Sequence, residues 1–325
     1  MFTSEEALAL LAAIPNLLLL TGEPLSEYTR FGIGGPADIY AQTPDAASFI
    51  EALNVARASG LDFVVIGGGT NLIVSDEGFR GIVLKFAARN IEAHGAGSTR
   101  IVRADAGAVL QDLVDFTIDG GMKGLQTMTG IPGSVGAAIY GNAGAYGHSI
   151  SERVQSVRFY DGARERVFSA GECRFQYRES IFKRHKDWII FATDLQLEIA
   201  GRAELREIAD GILKIRNEKY PPAMKCAGSI FKNYLISELP AAVVVNIPPK
   251  VIREGKVPSA YFLEQVDAKG MRSGDIHVAA YHANLIYNAG RGTAKDLRAI
   301  ISELKRRVRD KFDIPLEEEV QYVGF

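Results

Sequence analysis

The sequence has little cysteine, and the cysteines that it has do not suggest a metal site. Only two of its 325 residues are cysteine, Cys173 and Cys226, and neither sits in a paired metal-ligand spacing. We therefore expect no bound metal. Two ordinary thiols, buried or half-buried, also suit a protein of the reducing cytoplasm.

Long hydrophobic runs and a strong net charge are absent as well. The most apolar stretch near the N-terminus, residues 7–20, is interrupted by Pro15 and Asn16 and is preceded by Glu5 and Glu6 instead of a positive leader. No run reaches the ~20 apolar residues that span a bilayer. The net charge of −2 creates no field that would attract nucleic acid or an anionic membrane. We expect a cytoplasmic protein that binds neither.

The composition is that of a globular protein with sizeable cores, since 47% of its residues are hydrophobic and 23% are charged. A prior of roughly 100–200 residues per domain suggests two or three domains. Thr3 and Glu6 have the spacing of a capping box at the start of a helix. Helical periodicity predicts further helices over residues 46–59, 109–119, 203–219 and 293–311.

Short β-branched runs alternate with these helices and indicate an α+β architecture, in which helices cover small sheets. The predicted strands are residues 37–41, 63–66, 81–86, 101–104, 283–287 and 317–323. The pair Pro221-Pro222 follows the third long helix, and prolines cannot continue a helix. We interpret this pair as the clearest signal of a domain boundary.

The first motif with chemical meaning is VVIGGGTNL, residues 64–72. A strand that runs into three glycines exposes consecutive backbone N–H groups, which can bind a pyrophosphate. The motif is neither a Rossmann fingerprint nor a P-loop, because Leu72 stands at the last glycine position and no P-loop lysine is present. A plain tight turn explains three glycines equally well.

The second motif is TGIPGSVGAAIYGNAGAYG, residues 129–147. Glycines recur every three residues, at Gly130, Gly133 and Gly136, around Ile131-Pro132. Such a loop can lie against a flat ring while its amides bond to ring heteroatoms. The alternative is a compact glycine-rich turn without a ligand.

These two motifs and TRFGIGGPADIY, residues 29–40, stand in the same order as in the UDP-N-acetylenolpyruvoylglucosamine reductases, and the sequence resembles that family from about residue 27 to residue 324. The resemblance implies an α+β fold with a two-lobed FAD-binding domain of the vanillyl-alcohol-oxidase type (PCMH) and a smaller α/β substrate-binding domain. The predicted bounds are 1–202 for the FAD-binding domain, with lobes of about 1–86 and 87–202, and 203–312 for the substrate domain. The C-terminal strand, 313–325, is a candidate to return to the first domain.

The resemblance also implies FAD as the cofactor and NADPH as the hydride donor. The expected substrate is UDP-N-acetylglucosamine enolpyruvate, which is reduced to UDP-N-acetylmuramate in peptidoglycan synthesis, and no protein partner is required. The residues expected along FAD are Gly67, Gly68, Gly69, Thr70, Asn71, Leu72, Thr129, Gly130, Ile131, Pro132, Gly133, Ser134, Gly136, Asn142, Ala143 and Gly144.

Three further motifs suggest catalytic residues by the same resemblance. In YRESIFK, residues 177–183, Arg178 is expected to hold the substrate carboxylate. Hydride addition to the alkene pushes negative charge into that carboxylate, and a fixed guanidinium can bond both of its oxygens. From the residues alone, Arg178 reads more readily as a surface ion-pair partner.

In AGSIFKN, residues 227–233, the resemblance makes Ser229 the proton donor, helped by Lys219 or Lys232 because a hydroxyl is a weak acid. In LEEEVQYVGF, residues 316–325, it makes Glu319 the group that polarises the carboxylate beside Arg178. The alternatives are a turn serine and an exposed strand glutamate. Further residues expected at the substrate are Tyr177, Arg216, Lys219, Lys232, Asn233, His282 and Asn284.

The sequence departs from the family pattern at a few places that remove no expected catalytic group. Tyr234 stands where the family often has proline, Gln321 where arginine is common, and residues 235–258 diverge. Two other functions compete with the reductase. One is an alcohol or lactone oxidase of the same FAD superfamily, and the other is a non-catalytic protein that binds flavin or a nucleotide sugar.

Overall fold

A computed structural model describes residues 3–325. Its α-helices are α1 (Ser4–Ala12), α2 (Ala46–Ser59), α3 (Leu110–Asp119), α4 (Val135–Tyr140), α5 (Ile181–Arg184), α6 (Arg202–Lys219), α7 (Ala241–Val244), α8 (Ser259–Glu264) and α9 (Ala294–Phe312). No helix within this part of the chain combines the length and the apolar character that crossing a membrane requires.

Most of the strands are short. In chain order they are β1 (Leu18–Pro24), β2 (Pro36–Thr43), β3 (Phe63–Val65), β4 (Leu72–Val74), β5 (Phe79–Phe86), β6 (Ile91–His94), β7 (Thr99–Asp105), β8 (Met122–Lys123), β9 (Gly144–Ala145), β10 (His148–Ser149), β11 (Val154–Tyr160), β12 (Glu165–Ser169), β13 (Ile189–Ile199), β14 (Tyr234–Leu235), β15 (Lys256–Val257), β16 (Arg272–Ser273), β17 (Ile276–Val278), β18 (Ile286–Asn288) and β19 (Gln321–Val323).

The chain folds as two compact units. The first comprises residues up to 23, 37–68 and 80–221, and the second comprises 24–36, 69–79 and 222–325. The division after α6 falls at Pro221-Pro222, whereas the predicted division at 202/203 falls before that helix. The helix belongs to the first unit because Leu205 and Ala209 are buried in that unit's core.

Besides the two-stranded β9–β10 hairpin, the described part of the first unit has two larger sheets. The larger one is antiparallel, with the order β12–β11–β13–β7–β6, and β8 pairs with the end of β13. The smaller one has the order β1–β2–β5–β3, in which β3 and β5 are parallel. The 11-residue strand β13 alternates buried and solvent-facing side chains in its second half, as expected where a sheet has one face on the core.

Aromatic side chains fill much of the first unit's core. Phe159 is fully buried, and its ring centroid lies 4.8 Å from Phe168, 5.2 Å from Phe182 and 4.9 Å from Trp188. The indole of Trp188 also stacks on His185 at 4.1 Å. Aromatic pairs at these distances stabilise a core beyond the area that they bury.

The second unit is built from short ladders packed beside the long helix α9. Strand β4 pairs in parallel with β19. Strands β14 and β15 form an antiparallel pair, and β16, β17 and β18 form a small antiparallel sheet. Thr293 caps α9, and the Asp76 carboxylate accepts from the Ala294 and Lys295 amides at 2.8 and 3.0 Å. The helix buries one apolar stripe, formed by Leu297, Ile300, Ile301, Leu304 and Val308.

The elements with strong local signals are confirmed. The capping box of Thr3 and Glu6 is formed, and α2 has its predicted bounds and ends at Gly60, whose φ of 74° is left-handed. The other three predicted helices agree within a residue at each end. The strand predicted at 283–287 is regular only from Ile286, because the preceding residues make an isolated bridge instead.

We predict that Phe159→Ala destabilises the first unit by about 3–5 kcal/mol, because a buried ring is replaced by a cavity. Urea unfolding should be followed by tryptophan fluorescence, since Trp188 is the chain's only tryptophan and reports on this unit. Val167→Ala on β12 is the matched control, because Val167 is 62% exposed and its loss should change stability by no more than about 0.5 kcal/mol. Equal unfolding midpoints for the two variants would contradict the assignment of this cluster to the core.

Candidate active site

The two glycine-rich loops meet inside the first unit. A Cβ added at Gly67 would lie 2.9 Å from the Ser134 hydroxyl, and one added at Gly68 would lie 3.2 Å from Gly133. The two backbones therefore approach more closely than side chains allow. The loops predicted to follow one cofactor, 67–68 and 130–136, are thus in contact.

The second loop is fixed by hydrogen bonds to residues that its motif does not contain. The Gly130 amide donates to the Gln111 side chain at 2.7 Å, and the Gly136 amide donates to the Ala106 carbonyl at 2.8 Å. Between them, Ser134 caps the six-residue helix α4. Gln111 and Ala106 carry no sequence signal that connects them with a site.

The third glycine of the first loop belongs to the second unit and is tightly enclosed. Gly69 has φ +64°, and a Cβ there would lie 1.6 Å from the Tyr28 carbonyl oxygen. The Gly69 carbonyl accepts from the Arg30 amide at 3.3 Å. TRFGIGGPADIY and the triple glycine, two motifs separated in sequence, therefore hold each other in one backbone arrangement.

Residues 142–144 form a bend that continues into the β9–β10 hairpin. Asn142 has a left-handed φ of 43° and is 5% exposed. Its side chain donates to the Gln176 carbonyl at 2.8 Å and accepts from the Ser151 amide at 3.3 Å. The carboxamide thus holds the bend, and the Asn142 amide donates to the Ile139 carbonyl at 3.2 Å.

Arg178 lies in a tight turn attached to that bend. The Gln176 and Glu179 backbones exchange two hydrogen bonds of 3.0 and 3.1 Å around it, and Arg178 has φ +56°, an uncommon conformation for a residue with a side chain. Its guanidinium donates to the Gly144 carbonyl at 2.8 Å and lies 5.2 Å from the Tyr177 ring centroid. Backbone strain of this kind clusters at functional sites.

The Arg178 turn is anchored from two more directions. The buried Ser180 hydroxyl donates to the Tyr140 carbonyl at 2.7 Å, and Lys183 donates to the Arg178 carbonyl at 2.8 Å. Burial raises the pKa of the Tyr140 phenol above its ordinary value, and the negative charge of Glu179 adds to the rise. The hydrogen bonds of Ser180 and Lys183 hold the turn, and the Arg178 guanidinium lies beside the predicted cofactor segment, residues 142–144.

In the second unit, AGSIFKN is the middle one of three bonded segments. On one side Ser229 bridges Leu285, and the Ile230 amide donates to the Asn284 carbonyl at 3.2 Å. On the other side the Glu319 amide donates to the Ile230 carbonyl at 2.7 Å. Ser229 and Glu319 therefore lie on neighbouring, directly bonded segments.

The backbone of Glu319 is held from a second side by the glycine loop. The Asn71 side chain donates to the Glu319 carbonyl at 2.7 Å, and the Asn71 carbonyl accepts from the Gln321 amide at 3.0 Å. Leu72 follows directly as the first residue of β4, which pairs with β19. The Asn71 carboxamide thus bonds to protein backbone.

Several residues predicted to bind substrate have partners inside the second unit. Lys232 forms an ion pair with Glu317, and its side chain is 10% exposed. Asn233 accepts from the Ser259 amide at 3.3 Å. His282 accepts from the Asn284 amide at Nδ1, which places the proton of its neutral ring on Nε2.

Asn284 is 2% exposed, and both ends of its carboxamide bond to the Phe231 backbone, at 2.8 and 2.9 Å. This geometry favours a structural role, in which Asn284 fixes the segment that carries Ser229. Its assignment to the substrate stays a prediction.

Arg216 and Lys219 lie at the end of α6 in the first unit. The ring centroid of Tyr220 lies 5.5 Å from the Arg216 guanidinium and 5.1 Å from the Lys219 ammonium. The aliphatic part of Arg216 packs on Gly130, where a Cβ would come within 3.0 Å of it. The structure therefore places Arg216 beside the second glycine-rich loop.

Within each unit, the structure thus brings some of the predicted site residues together. The first brings Arg178 together with residues 142–144, and the second brings Ser229 together with Glu319 and Asn71. Thr129 is 3% exposed and donates its hydroxyl to the Gln126 carbonyl, so that its side chain points inward.

Comparison with known proteins identifies the family. Residues 37–171 match a family model described as an FAD binding domain, and residues 220–323 match one described as the C-terminal domain of UDP-N-acetylenolpyruvoylglucosamine reductase. The chain is 62% identical over 314 residues to the UDP-N-acetylenolpyruvoylglucosamine reductase of Solibacter usitatus (strain Ellin6076), covering 97% of this chain and 99% of that protein. The chain belongs to the UDP-N-acetylenolpyruvoylglucosamine reductase family.

More distant members of this reductase family agree. The reductase of Bacillus licheniformis is 33% identical over 315 residues, covering 94% of each chain. A crystal structure of the reductase from Thermus caldophilus is 27% identical and superposes with a TM-score of 0.72, covering 94% of this chain and 98% of that one. The predicted fold class is confirmed: an α+β protein with an FAD-binding domain of the vanillyl-alcohol-oxidase (PCMH) type and a second domain that follows it.

We predict that Gly69→Ala disrupts the glycine loop, because its methyl group would overlap the Tyr28 carbonyl. Gly22→Ala is a close control: Gly22 has φ +65°, against +64° at Gly69, and no heavy atom within 4 Å of an added Cβ. Both variants carry about 1–2 kcal/mol of left-handed strain, and the overlap should cost Gly69→Ala a further ~1–3 kcal/mol.

Thermal unfolding and the FAD content of the purified variants measure the two effects. Gly69→Ala should lose stability and cofactor, whereas Gly22→Ala should keep its FAD. Equal FAD content in the two variants would show that the close approach at Gly69 is not needed for the loop.

Proposed function

We propose that this protein catalyses the FAD-dependent reduction of UDP-N-acetylglucosamine enolpyruvate to UDP-N-acetylmuramate, a step of peptidoglycan precursor synthesis, with NADPH as the hydride donor. Membership of the reductase family supports the overall reaction. The observation that carries the assignment of residues is the 2.7 Å hydrogen bond between Glu319 and Ile230, because it sets a carboxyl group and the Ser229 hydroxyl on adjoining segments.

The residues predicted to hold FAD fit such a group. Gly67 and Gly68 lie where a Cβ would meet Ser134 and Gly133, and Gly69 lies where a Cβ would overlap a carbonyl. Gly69 has room for backbone alone, and an added methyl group at Gly67 or Gly68 would crowd the second loop. Exposed backbone N–H groups are suited to a pyrophosphate. The chemistry that FAD supplies when bound is hydride transfer, in from NADPH and out to the terminal alkene carbon of the sugar.

Arg178 has the role of holding the substrate carboxylate. Negative charge moves into that carboxylate when hydride reaches the alkene, and a guanidinium already fixed in place stabilises the charge without further reorganisation. The strained turn and the 2.8 Å bond to Gly144 are what fix it. Glu319 has the complementary role of polarising the carboxylate.

Ser229 has the role of general acid, donating its hydroxyl proton to the carbon next to the carboxylate. General acid catalysis contributes about 10²–10⁴ in rate when donor and acceptor are held in position. The backbone bonds on both sides of residues 229–230 supply that positioning for the donor.

An anaerobic experiment on the two half-reactions tests the proposed function. NADPH should bleach the flavin absorbance of the holoenzyme, and the colour should return when UDP-N-acetylglucosamine enolpyruvate is added. A flavin that recovers its colour with oxygen but not with the sugar would instead indicate an oxidase. A protein that binds the sugar without any change in the flavin would indicate a non-catalytic binding role.

Ser229→Ala tests the proton donor. The variant should be bleached by NADPH at the normal rate but reoxidised by the sugar about 10²–10⁴-fold more slowly, because only the second half-reaction needs the proton. Ser237→Ala, an exposed serine of the same unit, is the matched control and should behave as the wild type. Normal reoxidation of Ser229→Ala would rule out this role for the serine.

A further inference from the structure

Asn71 occupies a special place in the glycine loop. It follows the triple glycine and Thr70 and directly precedes β4. Its carbonyl accepts from the Gln321 amide at 3.0 Å, while its carboxamide donates to the Glu319 carbonyl at 2.7 Å. One residue of the glycine loop thus bonds to the C-terminal segment on both sides of Val320.

The second of these bonds acts on the peptide that follows Glu319. The Glu319 amide is already bonded to the Ile230 carbonyl at 2.7 Å, so that the Asn71 bond fixes the other backbone group of the same residue. Without the carboxamide donor, one of the two hydrogen bonds that fix the Glu319 backbone is lost, and the Glu319 side chain is held less firmly in place. Displacement of a catalytic group by about 1 Å can lower a rate by about 10²-fold.

We propose that Asn71 is a positioning residue for Glu319, through which the glycine loop sets the direction of that carboxylate for sugar reduction. This inference rests on the proposed function. It differs from a direct contact of the Asn71 side chain with FAD, because the bond that carries it joins the carboxamide to the Glu319 carbonyl. A cofactor contact would affect both half-reactions, whereas the positioning role affects only the one that uses the sugar.

Asn71→Asp is the test variant, since aspartate keeps the size of the side chain and removes its N–H donor. With FAD bound, the variant should be reduced by NADPH within about twofold of the wild-type rate, while reoxidation by the sugar slows by about 10–100-fold. Asn246→Asp is the control, because the side chain of the exposed Asn246 makes the same kind of bond, 2.8 Å to the Ala242 carbonyl.

A double-mutant cycle with Glu319→Gln decides whether Asn71 acts through Glu319. If it does, Asn71→Asp adds little further loss in the Glu319→Gln background. Independent, multiplying losses would overturn the inference, as would an equal slowing of both half-reactions.

The cycle also separates this inference from the proposed function. A slow Glu319→Gln variant with a normal Asn71→Asp variant would overturn the inference alone. A fully active Glu319→Gln variant would overturn the role of Glu319 and the inference together.

Discussion

The hydrogen bond from the Glu319 amide to the Ile230 carbonyl is the contact on which the second unit's part of the site depends. It joins AGSIFKN to a segment about 90 residues further along the chain, and Asn284 and Leu285 hold AGSIFKN from the opposite side. AGSIFKN is therefore hydrogen-bonded on both sides, as a central strand is, although it belongs to no regular sheet. The backbone that carries Ser229 and Glu319 is therefore fixed in advance, and fixing it costs little free energy when a ligand binds.

In the first unit, the loops are fixed by close contact with each other and not by a ladder of backbone hydrogen bonds. Gly67 lies so near the Ser134 hydroxyl, and Gly68 so near the Gly133 backbone, that an added methyl group at either glycine would crowd the second loop. Two loops in such contact cannot move independently, and each limits the conformations of the other. The strain in the Arg178 turn is tolerated for a similar reason, since the bonds around it stabilise the turn more than the left-handed φ destabilises it.

Much of the fold could be predicted from sequence because its signals are local. Helix α2 has a capping aspartate, an apolar stripe and a terminal glycine within 16 residues, and Pro221-Pro222 marks the end of a unit by the same local chemistry. The glycine motifs likewise indicated where the backbone makes close contacts that leave little room for side chains. They did not show that each loop's first neighbour is the other loop.

The parts of the site that the sequence did not reveal depend on pairings between distant residues. Glu319 bonds to Ile230, and Gln111 bonds to Gly130. These contacts form when the chain folds, and no pattern in the neighbouring sequence predicts them. The same holds for the domain assignment of α6, which follows from the burial of Leu205 rather than from its own periodicity.

Three asparagines show why residue type alone misleads at such a site. Asn71, Asn142 and Asn284 lie in motifs that suggest ligand contacts, yet each carboxamide bonds to protein backbone where a regular ladder is absent. An amide side chain carries the same donor and acceptor as a peptide group, so it can replace a missing ladder bond. Irregular backbone is what lets loops approach a cofactor, and that irregularity creates the need for asparagine. A motif rich in glycine and asparagine therefore contains both the residues that leave room for the ligand and those that hold the surrounding backbone in place.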